Sequence, residues 1–146
     1  MPAGEFVTAG VLPFSRLMGV ETLEATPKRI RLRLSVREDL CTTGGILHGG
    51  AIMALADTAG ALGASLNLPE GAQTTTLESK TNFVGFARAG TAVTAEASPV
   101  HVGRRTSVWQ TRVEDETGRL VAVVIQTQLT LEPRPEAAPK PAGSGG

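Results

Sequence analysis

Gly44-Gly45-Ile46-Leu47-His48-Gly49-Gly50-Ala51-Ile52-Met53-Ala54-Leu55-Ala56-Asp57-Thr58-Ala59-Gly60-Ala61 is the stretch whose reading decides the fold. From Gly49 to Leu66 the chain reads as one apolar helix, and Asp57 is its one ionisable side chain. A helix that is apolar all round must be buried. The segments around it read as strands with one greasy face, which also needs cover. The simplest solution is an α+β domain with a long central helix wrapped by an antiparallel β-sheet.

Composition bounds the rest. A chain of 146 residues suits one domain with a single core. Lysine plus arginine and aspartate plus glutamate number 14 each, so the formal net charge is zero. That leaves no broad basic field for nucleic acid and makes self-association easy. The single cysteine, Cys41, rules out an intrachain disulfide, and Met1-Pro2-Ala3-Gly4-Glu5 lacks the basic start and apolar run of a secretory leader. Both suggest a cytoplasmic protein. The helix is long enough to span a bilayer, but it is mostly alanine and glycine, with a charge near its middle, which argues against a membrane.

In chain order, residues 5–18 carry Phe6, Val7, Val11, Leu12, Phe14, Leu17 and Met18, with Pro13 interrupting any regular helix. They predict a short helix or two turns ending at Gly19, either a lid over the core or, through Phe14, Leu17 and Met18, one wall of an acyl pocket. Residues 20–25 suggest a strand. Arg29–Val36 then alternates with period two, placing Ile30, Leu32, Leu34 and Val36 inward and three arginines outward, where a solvated face outweighs an anion site. A loop over 37–47 leads to the helix. Asn67 is placed to end it, with Pro69 just beyond. Four strands follow over 73–86, 91–102, 106–115 and 119–131. Pro99 marks a bulge or an edge, and Val121, Val123, Ile125, Thr127 and Leu129 share a face. The domain is expected over 1–132. Residues 133–146, rich in proline, alanine and glycine, have a disordered composition.

Several chemistries drop out. Two histidines, one cysteine and scattered carboxylates show no zinc spacing, so no metal is expected. Nucleotide-binding glycine patterns and the GxSxG elbow are absent. A Cys41–His48 pair would lack an orienting group, and Cys41 reads better as a small packing residue. What remains is the helix start and Asp57. Open N–H groups at a helix N-terminus carry partial positive charge, and Gly49 and Gly50 let a ligand approach the backbone. This is a natural oxyanion hole. A carboxylate in an apolar setting can serve as nucleophile or general base. Yet eight residues separate Gly49 from Asp57, about 12 Å along a helix axis. One carbonyl cannot touch both. Two antiparallel helices across a two-fold axis remove the obstacle, so the catalytic reading requires a homodimer.

Leu47-His48-Gly49-Gly50 with Asp57 nine positions after the histidine resembles the signature of hotdog-fold acyl-CoA thioesterases, the PaaI-like (phenylacetic acid degradation-related) group in particular. Leu77-Glu78-Ser79-Lys80-Thr81-Asn82-Phe83-Val84-Gly85-Phe86-Ala87-Arg88-Ala89-Gly90-Thr91 is similar to that family's strand after the helix, and the likeness spans roughly residues 5–131. The resemblance implies a hotdog fold, dimers often paired into tetramers, and an acyl-CoA substrate with coenzyme A as part of it rather than a cofactor. It implies Asp57 as the catalytic carboxylate, the Gly49 N–H polarising the thioester carbonyl, and His48 holding the loop or contacting the thioester. Thr76 falls where relatives carry an assisting Ser or Thr. Gly103-Arg104-Arg105 matches a turn that contacts coenzyme A. One departure stands out: six positions before the histidine, where many relatives carry Asn or Gln, this chain has Thr42, with Thr43 beside it. A hydroxyl is shorter and less directional than an amide.

The leading expectation is hydrolysis of a small or medium acyl- or aryl-CoA thioester. Thr42 motivates a second, a non-hydrolytic acyl-CoA binding protein. A third is an enoyl-CoA hydratase-type protein using His48 and Asp57, although the dehydratase histidine–proline motif is absent.

Overall fold

The computed structural model describes residues 9–134. Phe6 and Val7, and the expected tail from residue 135 on, lie outside them. Strands β1 (Glu21–Thr26), β2 (Arg29–Ser35), β3 (Gln73–Phe83), β4 (Ala92–Val102), β5 (Thr106–Asp115) and β6 (Leu120–Leu131) form one sheet in the order β1-β2-β4-β5-β6-β3. Every neighbouring pair is antiparallel. The long helix α2 (Gly49–Ser65) packs across this sheet and touches all six strands. This is the hotdog arrangement. Among the described residues no helix is long and apolar enough to cross a membrane.

Period-two patterning explains β2. Ile30, Leu32 and Leu34 are fully buried. On the other face Arg29, Arg31 and Arg33 pair with Glu24, Glu96 and Glu21 at 2.8, 3.4 and 3.4 Å. The arginine row is thus a solvated face with acidic partners. Exposed pairs of this kind contribute little, about 0–1 kcal/mol each.

Near the N-terminus the chain makes a 3-10 turn at Ala9–Val11 and then the short helix α1 (Pro13–Met18). Pro13 starts this helix rather than interrupting one, because the first helical position needs no N–H bond. Gly19 ends it at φ +81°, a conformation that suits glycine. The Arg37 guanidinium donates to the carbonyls of Met18 and Leu17 at 2.8 and 3.2 Å and to Asp39 Oδ1 at 3.0 Å, tying α1 to the loop before α2.

At the far end of α2, Asn67 does not enter the left-handed region. Its amide instead donates to the Gly63 carbonyl at 2.8 Å, satisfying one open helix acceptor, and to the Pro27 carbonyl at 2.9 Å. Strand β3 stops at Phe83, three residues short of the predicted 73–86. The N–H groups of Val84 and Gly85 both donate to the Val121 carbonyl, which turns the chain off the sheet. Pro99 sits at a register shift in β4, beyond Ala97, where pairing with β2 has ended. Its missing N–H therefore costs no ladder bond.

One expectation changes. Helix α2 is not buried all round: Ile52, Leu55, Ala56 and Ala59 are inside, but Gly50 and Met53 are exposed and Asp57 is half-buried. The uncovered stripe lies where the sheet ends, at the edge strand β3. On β6 the more buried face carries Ala122, Val124, Gln126 and Gln128, and of the residues on the other face Val121 is buried while Val123, Ile125, Thr127 and Leu129 are half-buried.

Candidate active site

Helix α2 presents its two candidate groups at different points along its length. At its start, His48 is the N-cap residue in extended conformation, and its Nδ1 accepts the Gly50 N–H at 2.8 Å. Because Nδ1 accepts, the neutral ring carries its proton on Nε2, which remains a donor. The N–H groups of Ala51 and Ile52 return to the His48 carbonyl. Among the described residues nothing accepts from the Gly49 N–H, so the first N–H of the helix is open. The ring of Phe83 lies against it, its Cζ 3.1 Å from where a Gly49 Cβ would stand.

Two turns along, Asp57 meets the inner face of β3 and β6. Its Oδ1 accepts the Thr76 hydroxyl at 2.6 Å and Gln126 Nε2 at 3.1 Å. Thr76 Oγ1 in turn accepts Gln128 Nε2 at 2.7 Å, and Gln128 Oε1 lies 3.0 Å from the Thr74 hydroxyl. A register shift in β3 between Thr76 and Glu78 lets Leu77 bulge out, so that Thr76 and, beyond it, Ser79 both face the helix. Among the described residues Asp57 Oδ2 receives no hydrogen bond. One oxygen of the carboxylate is held and the other is open.

The structure therefore joins Thr76 to Asp57 and joins His48 to Gly50, but it does not bring Gly49 to Asp57 within one chain. Thr42 and Thr43 lie exposed in the 42–45 turn, where the Thr42 hydroxyl accepts the Gly44 N–H at 3.3 Å. Gly103, Arg104 and Arg105 turn the chain between β4 and β5, and both arginine side chains are exposed. Neither has a carboxylate within ion-pair distance among the described residues. In register, this turn begins two residues beyond Ser107, which faces Gln128, or about 7 Å along the sheet. No three of His, Cys, Asp and Glu cluster among the described residues.

Gln126, Gln128 and Thr74 escape the sequence reading, which groups one face of β6 without saying which face meets the helix. The signal is present: Gln126-Thr127-Gln128 puts two amides on one face of a strand otherwise rich in valine and isoleucine.

A cavity of about 400 Å³ opens beside the helix start, lined by Phe14, Leu17, Met18, Leu40, His48 and Ala51 among others. Its walls are mostly apolar, and its size suits a small-molecule pocket.

Comparison with known proteins agrees with this fold. A 1,4-dihydroxy-2-naphthoyl-CoA hydrolase of Listeria monocytogenes is 31% identical over 106 residues, covering 73% of this chain and 85% of that one. The crystal structure of a Haemophilus influenzae thioesterase superposes with a TM-score of 0.77 at 31% identity, covering 83% of this chain and 84% of that one. The Escherichia coli PaaI protein from the phenylacetic acid degradation operon shares the fold, with a TM-score of 0.77 at 20% identity over 82% of this chain and 85% of that one. Matches to two further curated relatives, from Vibrio cholerae and Haemophilus influenzae, span 62% and 60% of those proteins' lengths. The family model described as the thioesterase superfamily matches residues 44–122, from the glycine pair before α2 to the start of β6. The chain belongs to the thioesterase superfamily.

Proposed function

We propose that this chain hydrolyses an acyl-CoA thioester at a site shared between two copies. The observation that carries the reading is Asp57: Oδ1 held by Thr76 and Gln126, Oδ2 open, on a helix whose first N–H is also open. In this reading Oδ2 takes a proton from a water as that water attacks the thioester carbonyl carbon. The oxyanion that forms is stabilised by the Gly49 N–H of the other copy, with His48 Nε2–H as a second donor. The C–S bond then breaks, and the leaving thiolate takes the proton from Asp57. Direct attack by Oδ2, giving an acyl-enzyme anhydride that water then opens, uses the same groups. A single turnover in H2-18O bears on the two, because label in Asp57 arises only by the anhydride route, when water opens the anhydride at the Asp57 carbonyl.

The shared site follows from the 12 Å or so between Gly49 and Asp57 and from the sheet edge. Strand β3 is 11 residues long and pairs with β6 on one side only. Leu77 and Phe83 on it and Met53 beside it are exposed. An open edge of that length is a template for pairing with a second copy. The cavity behind α1 then takes an apolar acyl or aryl group, a reading supported by the aromatic acyl-CoA substrate in the Listeria relative's name. Arg104 and Arg105, free of acidic partners among the described residues, suit the phosphates of coenzyme A.

The test is steady-state hydrolysis of an acyl-CoA panel, with released thiol followed by a dye. Asp57→Ala is expected to lower kcat by at least about 10²-fold. Wild-type turnover in that variant would overturn the mechanism. One observation favours a second reading, a non-hydrolytic acyl-CoA binding protein: the Thr42 hydroxyl is engaged in its own turn rather than aimed at a substrate. Binding of acyl-CoA without release of thiol would establish it.

A further inference from the structure

Gln126 and Gln128 on the inner face of β6 are 0% and 1% exposed. Long polar side chains are rarely buried so fully unless their hydrogen bonds are met. Those of Gln126 are met only in part. Its Nε2 reaches Asp57, while its Oε1 is buried with no partner among the described residues. For packing alone, an apolar side chain of the same length would serve better, since it leaves no desolvated amide oxygen. What the amide adds is the N–H on the carboxylate.

The direction of each hydrogen bond can be worked out from the carboxylate outward. An ionised carboxylate only accepts, so the Thr76 hydroxyl spends its single proton on Asp57 Oδ1, 2.6 Å away. The Thr76 oxygen is then an acceptor, and the atom of Gln128 beside it at 2.7 Å must be the donor Nε2. That orientation turns Gln128 Oε1 toward the Thr74 hydroxyl, which lies 3.0 Å from it and also 3.0 Å from the Leu129 carbonyl. Thr74 has one proton and shares it between these two acceptors, so the chain of donors Gln128–Thr76 points at Asp57, and Gln126 arrives from a second side. Gly60, three residues after Asp57, makes room for that second donor. A Cβ there would overlap the amide group of Gln126.

We propose that Gln126 and Gln128 are positioning residues for the hydrolysis, Gln126 directly and Gln128 through Thr76. They hold Asp57 by Oδ1 and so make Oδ2 the oxygen that reacts. The inference rests on the reading of Asp57 as base or nucleophile, and it gives Gln126 and Gln128 a kinetic role that the chemistry of that reading does not require.

The test measures kcat, KM and thermal midpoint with benzoyl-CoA and hexanoyl-CoA. The proteins are wild type, Gln126→Met, Gln128→Met, Thr76→Val, the Gln128→Met/Thr76→Val double variant and Asp57→Asn. Methionine keeps length and apolar volume but cannot donate. Each glutamine variant is expected to lose about tenfold or more in kcat at unchanged KM, as removal of a group needed only in the transition state does. The midpoint of Gln126→Met should stay level or rise. Gln128→Met should cost nothing further in the Thr76→Val background, because its route to Asp57 is already cut. Full kcat in either glutamine variant, multiplied losses in the double variant, or a midpoint that falls while kcat holds would each overturn the proposal. Asp57→Asn separates the two levels. If it turns over like the wild type, or if the wild type itself releases no thiol, the underlying reading fails and takes the proposal with it. If it is inactive while both glutamine variants are fully active, only the proposal fails.

Discussion

Two glycines on one helix show how a missing side chain can be structural information. Gly60 and Gly63 lie three residues apart on α2, and each is met by a large side chain from the sheet. Gln126 sits over Gly60. Trp109, fully buried, sits over Gly63, with the edge of its ring where a Cβ would stand. Glycine in a helix interior costs about 1 kcal/mol relative to alanine, and at these positions the close approach offsets it. Gly63→Ala is therefore expected to destabilise the chain, by about 1–3 kcal/mol of overpacking read as a lowered denaturant midpoint. Gly60→Ala should act differently, because it moves Gln126 off Asp57. Its expected signature is a fall in kcat larger than its loss of stability explains, measured on the same acyl-CoA panel. The sequence makes the glycines visible inside a helix, but it cannot say what they receive. Trp109 and Gln126 are 46 and 66 residues further along the chain from Gly63 and Gly60.

At the level of elements, α1 and α2 read differently before and after folding. Residues 5–18 offer either a lid or an acyl-pocket wall, and the cavity lined by Phe14, Leu17 and Met18 favours the wall. Arg37 holds that wall by its C-terminal carbonyls, and Ser15 reaches Thr58 of α2 at 3.3 Å. Leu17 is 73% exposed, so shortening it disturbs little packing. Leu17→Ala is expected to raise KM severalfold for long apolar acyl groups, with kcat and the melting midpoint little changed. A substrate series of increasing chain length checks this, and equal KM values across the series would remove α1 from the pocket. Strand β6 gives the opposite lesson. Its alternation is legible, but both of its faces are rich in apolar residues, so pattern alone does not say which face meets the helix.

For the whole molecule the proposed mechanism asks one helix to carry both halves of a site it cannot complete alone. This gives a prediction that a single-chain site would fail. Gly49→Pro removes the open N–H at the first helical position, which proline's backbone suits although the Phe83 ring must give by a few tenths of an ångström, and His48 before it already has the extended conformation a following proline requires (φ −62°, ψ 137°). Gly49→Pro and Asp57→Ala should each be inactive alone. Mixed through unfolding and reassembly in equal amounts, they should recover about one quarter of wild-type sites, because half the dimers are mixed and each of those has one intact site. No recovery would mean that Gly49 and Asp57 do not meet across the interface. Sedimentation of the same samples reports the dimer directly.

The sequence by itself determined the helix, the alternating strands, the hotdog family and the two groups proposed to bear chemistry, because helix and strand periodicities and a short local motif are properties of neighbours along the chain. Tertiary structure alone decided that Asp57 is held by Oδ1, that Gln126 joins Thr76 in holding it while Gln128 backs Thr76, and that one face of α2 stays uncovered beside β3. Those facts depend on strand order, on a one-residue bulge at Leu77 and on which face of β6 turns inward. A shift of one residue in register reverses every side chain of a strand. No run of residues read in order carries that information.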